Sequence, residues 1–149
     1  MLHKKLIKLA RNLICVVGFS LILPFLFLAA IGLLLEDGLP ILFLQDRIGK
    51  NKKIFKIIKI RTLKTSTPQT GTHELKPMHR LKVGKIIRKI KLDEFPQLLN
   101  VIKGDINLVG PRPGLPNQEL LLGFRSERKV FNIKPGITGL AQVMGYDMS

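Results

Sequence analysis

An uncharged apolar run near the N-terminus is the feature that most constrains what this chain can fold into. From Leu13 to Leu35 the sequence reads LICVVGFSLILPFLFLAAIGLLL, 23 residues without a charged side chain. As a straight helix with a rise of about 1.5 Å per residue, the run would be roughly 35 Å long, enough to cross a hydrocarbon core of about 30 Å. A secretory signal peptide is disfavoured, because the run is too long and the EDGLP after it offers no small-residue cleavage site. The run therefore predicts a membrane-embedded helix.

Two features indicate how this helix sits in the membrane. Pro24 cannot donate a backbone hydrogen bond and its ring crowds the preceding turn, so a break in the helix is expected there. A re-entrant helix, which enters and leaves on the cytoplasmic face, is favoured by basic flanks on both sides, and a kinked spanning helix is the alternative. The flanking basic residues are Lys4, Lys5, Lys8 and Arg11 before the run and Arg47, Lys50, Lys52 and Lys53 after it.

The formal net charge of +15 over 149 residues predicts polyanionic partners. Nucleic acid, an anionic bilayer and phosphorylated substrates all satisfy that sign. Nucleic acid is disfavoured, because the basic residues alternate with aliphatic ones and stacking aromatic residues are scarce. The chain has no tryptophan, and Tyr146 is its only tyrosine. Its single cysteine, Cys15, excludes a disulfide framework.

The rest of the chain predicts an α+β domain. Two runs rich in β-branched residues, LPILFLQDRIG and KKIFKIIKIRTL, flank Gly49-Lys50-Asn51 and predict a β-hairpin. Residues 79–91, HRLKVGKIIRKIK, alternate apolar and basic side chains at helical spacing, which is typical of an interfacial helix; an ordinary helix on a soluble core is the alternative. Residues 64–77 predict a polar loop and residues 117–131 a charged helix. The predicted division is a membrane segment over 1–38 and a second domain over 39–149.

Candidate chemistry centres on the adjacent acids Asp93 and Glu94. Asp93 fits the N-cap position of a following helix, which is the ordinary explanation for an acid there. The functional explanation makes one carboxylate a nucleophile or base and the other a ligand of Mg²⁺, which takes one or two carboxylates together with substrate phosphates. Prolines on both sides hold Arg112 in a rigid loop suited to phosphate, although a solvated turn is the alternative. Lys59 and Arg88 add further positive charge.

Four segments carry a resemblance to a known family: QDRIG, FKIIKIRTL, KLDEFPQLLNVIKGDINLVGPRP and KPGITGLAQVMGYDMS. They resemble the bacterial sugar transferases, monotopic polyprenyl-phosphate phosphoglycosyl transferases that initiate glycoconjugate assembly for O-antigen, capsule, exopolysaccharide or glycoprotein glycans. The similarity runs from about Lys4 to the last residue. It implies that residues 39–149 are the catalytic domain and that the membrane helix is re-entrant and broken at Pro24. Relatives continue beyond GYDMS with a further helical segment, so this chain is expected to be C-terminally short.

The resemblance also implies roles for individual residues. Asp93 would be the covalent nucleophile and Glu94 the ligand of Mg²⁺, while Lys59, Arg88 and Arg112 would bind phosphate. The implied partners are a UDP-sugar, polyprenyl (undecaprenyl) phosphate and the anionic lipids of the bacterial inner membrane, at its cytoplasmic face. An inactive truncated relative and a basic membrane-associated nucleic-acid-binding protein are the alternatives. The sequence leaves the sugar, the glycan pathway and the oligomeric state open.

Overall fold

The computed structural model describes residues 2–67 and 80–145, and within them the fold is α+β, as predicted. The predicted polar loop lies partly outside these residues, as does His79 at the start of the predicted interfacial helix. Short 3₁₀ turns occupy Lys50–Lys52, Leu92–Glu94 and Val130–Asn132. The helices and strands follow in the order α1 (Leu2–Asp37), β1 (Leu42–Ile48), β2 (Ile54–Ile60), α2 (Lys82–Lys89), α3 (Gln97–Lys103), β3 (Asn107–Val109), α4 (Glu119–Glu127), β4 (Gly136–Thr138) and α5 (Leu140–Val143).

Helix α1 is one continuous helix of 36 residues with Pro24 inside it, so the expected break at Pro24 is not present. The physical reason is packing on both sides of the proline, since Ile22 and Leu26 both pack against the same apolar core cluster. A proline removes one backbone hydrogen bond, and tertiary contacts of this kind offset that loss. Among the described residues, α1 is also the helix long and apolar enough to cross a membrane, over Lys5–Asp37.

One stripe of α1 packs against the rest of the protein, and most of the large apolar side chains outside it are exposed. The stripe recurs every three or four residues, as the contact face of a helix must. Leu33 within it is 0% exposed, whereas Leu35 is 82% exposed. Large apolar side chains exposed to this extent over a whole helix indicate a surface that another apolar phase covers. The stripe includes Arg11, Cys15, Gly18, Ile22, Leu26, Ala29, Gly32 and Leu33.

Strands β1 and β2 form the predicted antiparallel hairpin, with Phe43 opposite Lys59 and Arg47 opposite Phe55. The turn between them places Asn51 at φ 54°, in the left-handed region that asparagine tolerates better than most residues. Successive side chains of a strand point to opposite faces. Phe43, Gln45, Arg47 and Lys59 therefore share the face that lines the pocket described below.

Helices α2 and α3 bracket the acidic pair. Helix α2 ends at Lys89, and Gly84 brings it against the end of β2, where an added Cβ would lie 2.3 Å from the Thr62 carbonyl oxygen. The prediction that Asp93 caps a helix is wrong, because Asp93 lies inside the 3₁₀ turn and α3 begins at Gln97, four residues later, without a side-chain cap. Gly104 follows the last residue of α3 with φ +93°, a left-handed conformation that glycine adopts readily and that ends the helix.

The C-terminal part is a short parallel pair of strands that holds a proline-rich loop. Strands β3 and β4 pair at Asn107–Gly136 and Val109–Thr138. The predicted charged helix over 117–131 is shorter in the structure, since α4 ends at Glu127 and a 3₁₀ turn follows. Val101 and Ile106, both fully buried, pack with Cys15 of α1 in a second core cluster, so α1 belongs to the core of this part as well.

Candidate active site

A pocket of ≈ 520 Å³ opens between the hairpin, α2, the 3₁₀ turn Leu92–Glu94 and the proline-rich loop. Asp93 and Glu94 are the acidic residues in its wall. Basic side chains in the wall far outnumber these two acids. An excess of positive charge in a concave site favours a ligand with several negative charges, such as a phosphate or a pyrophosphate. The basic residues that line the pocket are Arg47, Lys59, Arg61, Lys64, Arg80, Lys85, Arg88, Lys89, Lys91 and Arg112.

The structure places the two adjacent carboxylates in different environments. Asp93 is 6% exposed, and its Oδ1 is buried without a hydrogen-bond partner. Burial raises the pKa of Asp93, although the positive charge of Lys59 opposes that shift. Burial would raise the pKa of Glu94 too, but Lys59 and Arg112 outweigh it and lower that pKa. Divergent environments of this kind are typical of carboxyl groups with separate chemical roles.

Glu94 joins two of the predicted cations. The Lys59 ammonium donates to Glu94 Oε1 at 2.9 Å, and Arg112 Nη2 lies 3.5 Å from the same oxygen. Both members of the first pair are largely buried, with side chains 15% and 16% exposed. Burial lowers the pKa of Lys59 and outweighs the opposing effect of Glu94. The charge of Glu94 therefore favours the protonated form of Lys59 against the effect of burial on its pKa.

Arg88, the third predicted cation, lies in the last turn of α2 and lines the same pocket. Burial lowers its pKa, and the charge of Asp93 is the largest influence in the opposite direction. The structure thus brings Lys59, Arg88 and Arg112 together with both carboxylates. Side chains from a strand, a helix, a turn and a loop converge on one volume, which is the arrangement required of a binding or catalytic site.

Arg47 is a pocket residue whose place in the site was not predicted; it was interpreted only as part of the basic flank of the membrane run. Its Nη1 donates to the Pro113 carbonyl at 3.1 Å and its Nη2 to Gln45 Oε1 at 2.7 Å. Burial, together with the charge of Arg112, lowers the pKa of Arg47 to about 10. The sequence signal that could have found it is the alternation of β1, which puts Arg47 on the pocket face.

The backbone around Arg112 is held from two directions. Arg47 contacts the carbonyl of Pro113, while Arg125 Nη1 of α4 donates to the carbonyl of Arg112 itself at 2.7 Å. A guanidinium on a fixed backbone loses less conformational entropy when it binds an anion. The proline-rich loop therefore holds the backbone at Arg112 in a fixed position, as a pre-organised anion-binding element would require.

A second acidic pair, Glu36 and Asp37, joins the end of α1 to the pocket wall. Glu36 accepts hydrogen bonds from the backbone N–H of Lys82 at 2.6 Å and of Val83 at 2.9 Å, the first two positions of α2. Asp37 pairs with Arg61, which is 5% exposed and lines the pocket. Arg61 also donates to the carbonyl oxygens of Pro40 and Gly38. Because of these contacts, Arg61 holds the end of α1 in place. Lys59, only two residues earlier in the chain, pairs with Glu94 instead.

The site can also be tested against Mg²⁺. Over residues 2–67 and 80–145, no three histidine, cysteine, aspartate or glutamate side chains cluster as a protein-only metal cage would require. Mg²⁺ needs no such cage, because it takes one or two carboxylates and completes its shell with phosphates and water. The carboxylate of Glu94 in the pocket wall supplies such a donor. The residues fit a magnesium ion bound together with a phosphorylated ligand.

Comparison with known proteins identifies the class to which this fold and pocket belong. The profile of a family described as bacterial sugar transferase matches residues 3–149. The chain therefore belongs to the bacterial sugar transferase family, as its motifs predicted.

Three relatives illustrate the similarity. The chain is 37% identical over 141 residues to the UDP-N-acetylgalactosamine-undecaprenyl-phosphate N-acetylgalactosaminephosphotransferase of Aeromonas hydrophila, covering 90% of this chain and 33% of the relative. It is 38% identical over 130 residues to the UDP-glucose:undecaprenyl-phosphate glucose-1-phosphate transferase of Caulobacter vibrioides, covering 85% and 49%. It is 34% identical over 154 aligned positions to the undecaprenyl-phosphate glucose phosphotransferase of Komagataeibacter xylinus, covering 97% and 28%. The chain thus spans half or less of the length of these three relatives.

Proposed function

We propose that this protein transfers a sugar 1-phosphate from a UDP-sugar to polyprenyl phosphate, the first step in assembling a bacterial glycoconjugate. The observation that carries the proposal is the buried, unpartnered carboxylate oxygen of Asp93 in a pocket lined by cations. A buried carboxylate without a partner is costly, and a native structure retains one chiefly where a ligand completes it. The names of the relatives support undecaprenyl phosphate as acceptor and a nucleotide sugar as donor.

The proposed chemistry has two displacements at one phosphorus atom. The Asp93 carboxylate attacks the phosphorus next to the sugar, a P–O bond to Asp93 forms, the bond to the distal phosphate breaks, and UMP leaves. A phosphate oxygen of the acceptor lipid then attacks the same phosphorus, which releases the carboxylate and forms the lipid pyrophosphate sugar. Neither step needs an added oxidant or reductant, and ping-pong kinetics follow.

The cations make the first attack feasible, because a carboxylate and a pyrophosphate repel each other in a water-poor pocket. Lys59 is 2.9 Å from Glu94, and Arg112 and Arg88 line the same volume, so they meet the donor phosphates beside Asp93. Glu94 would hold Mg²⁺ together with the substrate phosphates, and the ion would offset further negative charge when bound.

We propose that α1 embeds in the cytoplasmic face of the inner membrane and that both of its ends stay on that face. The support is that the residues flanking the apolar run on both sides contact one and the same domain: Arg11 donates to Asn107 at 3.2 Å, and Glu36 accepts from Lys82 and Val83. The contact stripe between them covers about 38 Å of helix at the usual rise. A helix that crossed the bilayer would separate those ends by the membrane. The exposed apolar side chains on the other faces of α1 are available for contact with lipid.

The experiment that tests the chemistry is incubation of the purified protein with a UDP-sugar labelled in the sugar, without acceptor lipid. We expect release of UMP and label on the protein, mapped to the peptide that contains Asp93. Adding polyprenyl phosphate should then move the label into lipid. Turnover without any labelled protein would contradict the covalent route, and the nucleotide sugar that releases UMP identifies the donor.

Topology is tested separately in a Cys15→Ala background with Leu9→Cys or Leu39→Cys. These positions flank the apolar run and are 68% and 73% exposed. Both should react with a membrane-impermeant thiol reagent from the cytoplasmic side alone. Labelling of either from the periplasm would show that α1 spans the membrane.

A further inference from the structure

Helix α2 presents three surfaces to three different surroundings. Gly84 and Ile87 are buried against the core, and Val83 packs on Gly32 of α1, where an added Cβ would lie 3.2 Å from Val83 Cγ1. The pocket is lined by Lys85, Arg88 and Lys89. Ile86 and Ile90 form the third surface and are 64% and 60% exposed.

The order of these surfaces around α2 follows from the helical repeat of about 100° per residue. The two exposed isoleucines lie between the side that packs on α1 and the side that lines the pocket. They thus extend the exposed apolar surface of α1 as far as the basic pocket wall. Taken around the helix, the order is Val83, Ile90, Ile86, Lys89, Lys85 and Arg88.

We propose that Lys85 and Lys89 form an acceptor subsite, which receives the phosphate headgroup of the lipid at the membrane edge and delivers it towards Asp93. This inference rests on the proposed function, because it concerns the second substrate of that reaction. The acceptor has an apolar tail and one phosphate, and the surface of α2 has the same division, with Ile86 and Ile90 beside the two lysines.

The charges of these lysines are available for a ligand. Within residues 2–67 and 80–145, neither ammonium forms an ion pair with a carboxylate, whereas Lys59 and Arg61 are both committed to one. Both lysine side chains are exposed, and both line the pocket. A lysine on a flexible stem suits a phosphate that must arrive and move on, while the fixed guanidinium of Arg112 suits one held for reaction.

The test compares Lys85→Ala/Lys89→Ala with the matched double variant Lys50→Ala/Lys82→Ala. The control removes two exposed lysines as well, one of them on α2, but neither lines the pocket. Two rates are measured on the full chain in detergent micelles: release of UMP without acceptor, and complete transfer to polyprenyl phosphate at varied acceptor concentration. A short-chain polyprenyl phosphate is run in parallel, so that headgroup contact is distinguished from attraction to the micelle.

For Lys85→Ala/Lys89→Ala we expect KM for both acceptors to rise about tenfold at low salt, with a smaller ratio at high salt. Release of UMP in the first half-reaction should stay within about twofold of the wild type, and the control should match the wild type throughout. An acceptor KM equal to that of the control, or a rise for the long-chain acceptor alone, overturns the subsite. A slower first half-reaction with unchanged acceptor KM assigns the lysines to the donor and also overturns it. Absence of UMP release and of protein label from the wild type would instead refute the proposed function.

Discussion

The protein contains two pairs of adjacent acids beside buried cations, and the difference between the pairs supports assigning the proposed chemistry to the second. At the junction of α1 with the rest of the fold, Glu36 accepts from two backbone N–H groups and Asp37 accepts from Arg61 and from the Thr65 N–H at 2.9 Å. In the pocket, Glu94 is held by Lys59 and Arg112, but Asp93 keeps a buried oxygen without a partner.

Satisfied and unsatisfied carboxylates have different consequences. At the junction, both carboxylates accept hydrogen bonds, and these offset the free-energy cost of removing the carboxylates from water. The first pair therefore stabilises the fold. A pocket that leaves a carboxylate oxygen buried and unpartnered loses stability, and such a loss is typical of functional sites. The comparison predicts that substitutions at the first pair lower stability and that substitutions at the second lower turnover.

The largest expected effect is that of Asp93→Asn. An amide is isosteric but not nucleophilic, so protein labelling should be lost and turnover should fall by about 10⁴-fold or more. Folding should persist, because no hydrogen bond to Oδ1 is removed. Labelling by mass spectrometry and thermal unfolding in detergent measure the two properties.

Asp37→Asn is the matched control for that substitution. It deprives the buried Arg61 of its ionised partner, so the unfolding temperature should fall while labelling per folded molecule stays unchanged. The comparison between the pairs fails if Asp93→Asn retains turnover, or if Asp37→Asn abolishes labelling without lowering stability.

The next effect in size is that of Arg112→Lys. Lysine keeps the charge but cannot donate two parallel hydrogen bonds to a phosphate, so the rate of UMP release should fall about 10- to 100-fold. Arg125→Lys is a useful comparison, since Arg125 contacts the backbone carbonyl of Arg112 at 2.7 Å and does not line the pocket that contains Asp93. Equal rates for Arg112→Lys and the wild type would show that Arg112 does not donate two parallel hydrogen bonds to the phosphate.

Gly84→Ala tests whether the junction positions α2 and, through it, Arg88. An added Cβ would lie 2.3 Å from the Thr62 carbonyl oxygen, so α2 must move away from β2. We expect a loss of about 1–3 kcal/mol in the free energy of unfolding, with a lower rate of UMP release in the molecules that remain folded. Gly123→Ala on α4, where a Cβ meets nothing within 4 Å, should cost nothing. A stability equal to the wild type in Gly84→Ala would refute this close approach.

The smallest effect is expected for Glu36→Gln. A glutamine retains one acceptor oxygen, so one of the two N–H groups at the start of α2 loses its partner, and the cost should be about 0.5–1 kcal/mol. Hydrogen exchange should speed up at Lys82 or Val83. Glu119→Gln, an exposed acid at the start of α4, controls for the change in charge. Faster exchange in both variants alike would argue against a specific role for Glu36.

Local signals were sufficient for several features. The apolar run predicted α1, and the β-branched runs around Gly49-Lys50-Asn51 predicted the hairpin. The motifs correctly predicted the family, and the residues they nominated, including Lys59 and Arg112, do meet in one pocket.

Other features depend on contacts between distant residues, and there the sequence misled. Pro24 was expected to break α1, because the cost of a proline is local, whereas the packing of Ile22 and Leu26 that offsets it is not. Asp93 was expected to cap a helix because the residues around it are typical of a helix start. Instead, Lys91 in the left-handed conformation precedes a 3₁₀ turn, and Asp93 in that turn lies in the pocket wall.

Periodicity, charge and turn preference are properties of neighbouring residues, so they were enough to establish the apolar helix, the basic character of the protein and the residue types available for phosphate chemistry. Which cation has which task depends instead on contacts between residues far apart in the chain. Lys59 lies near the end of β2 and Arg61 directly follows the strand, yet Lys59 meets Glu94 in the pocket and Arg61 meets Asp37 at the end of α1. The reason is that a buried charge takes its role from the opposite charge that the fold brings within a few ångströms.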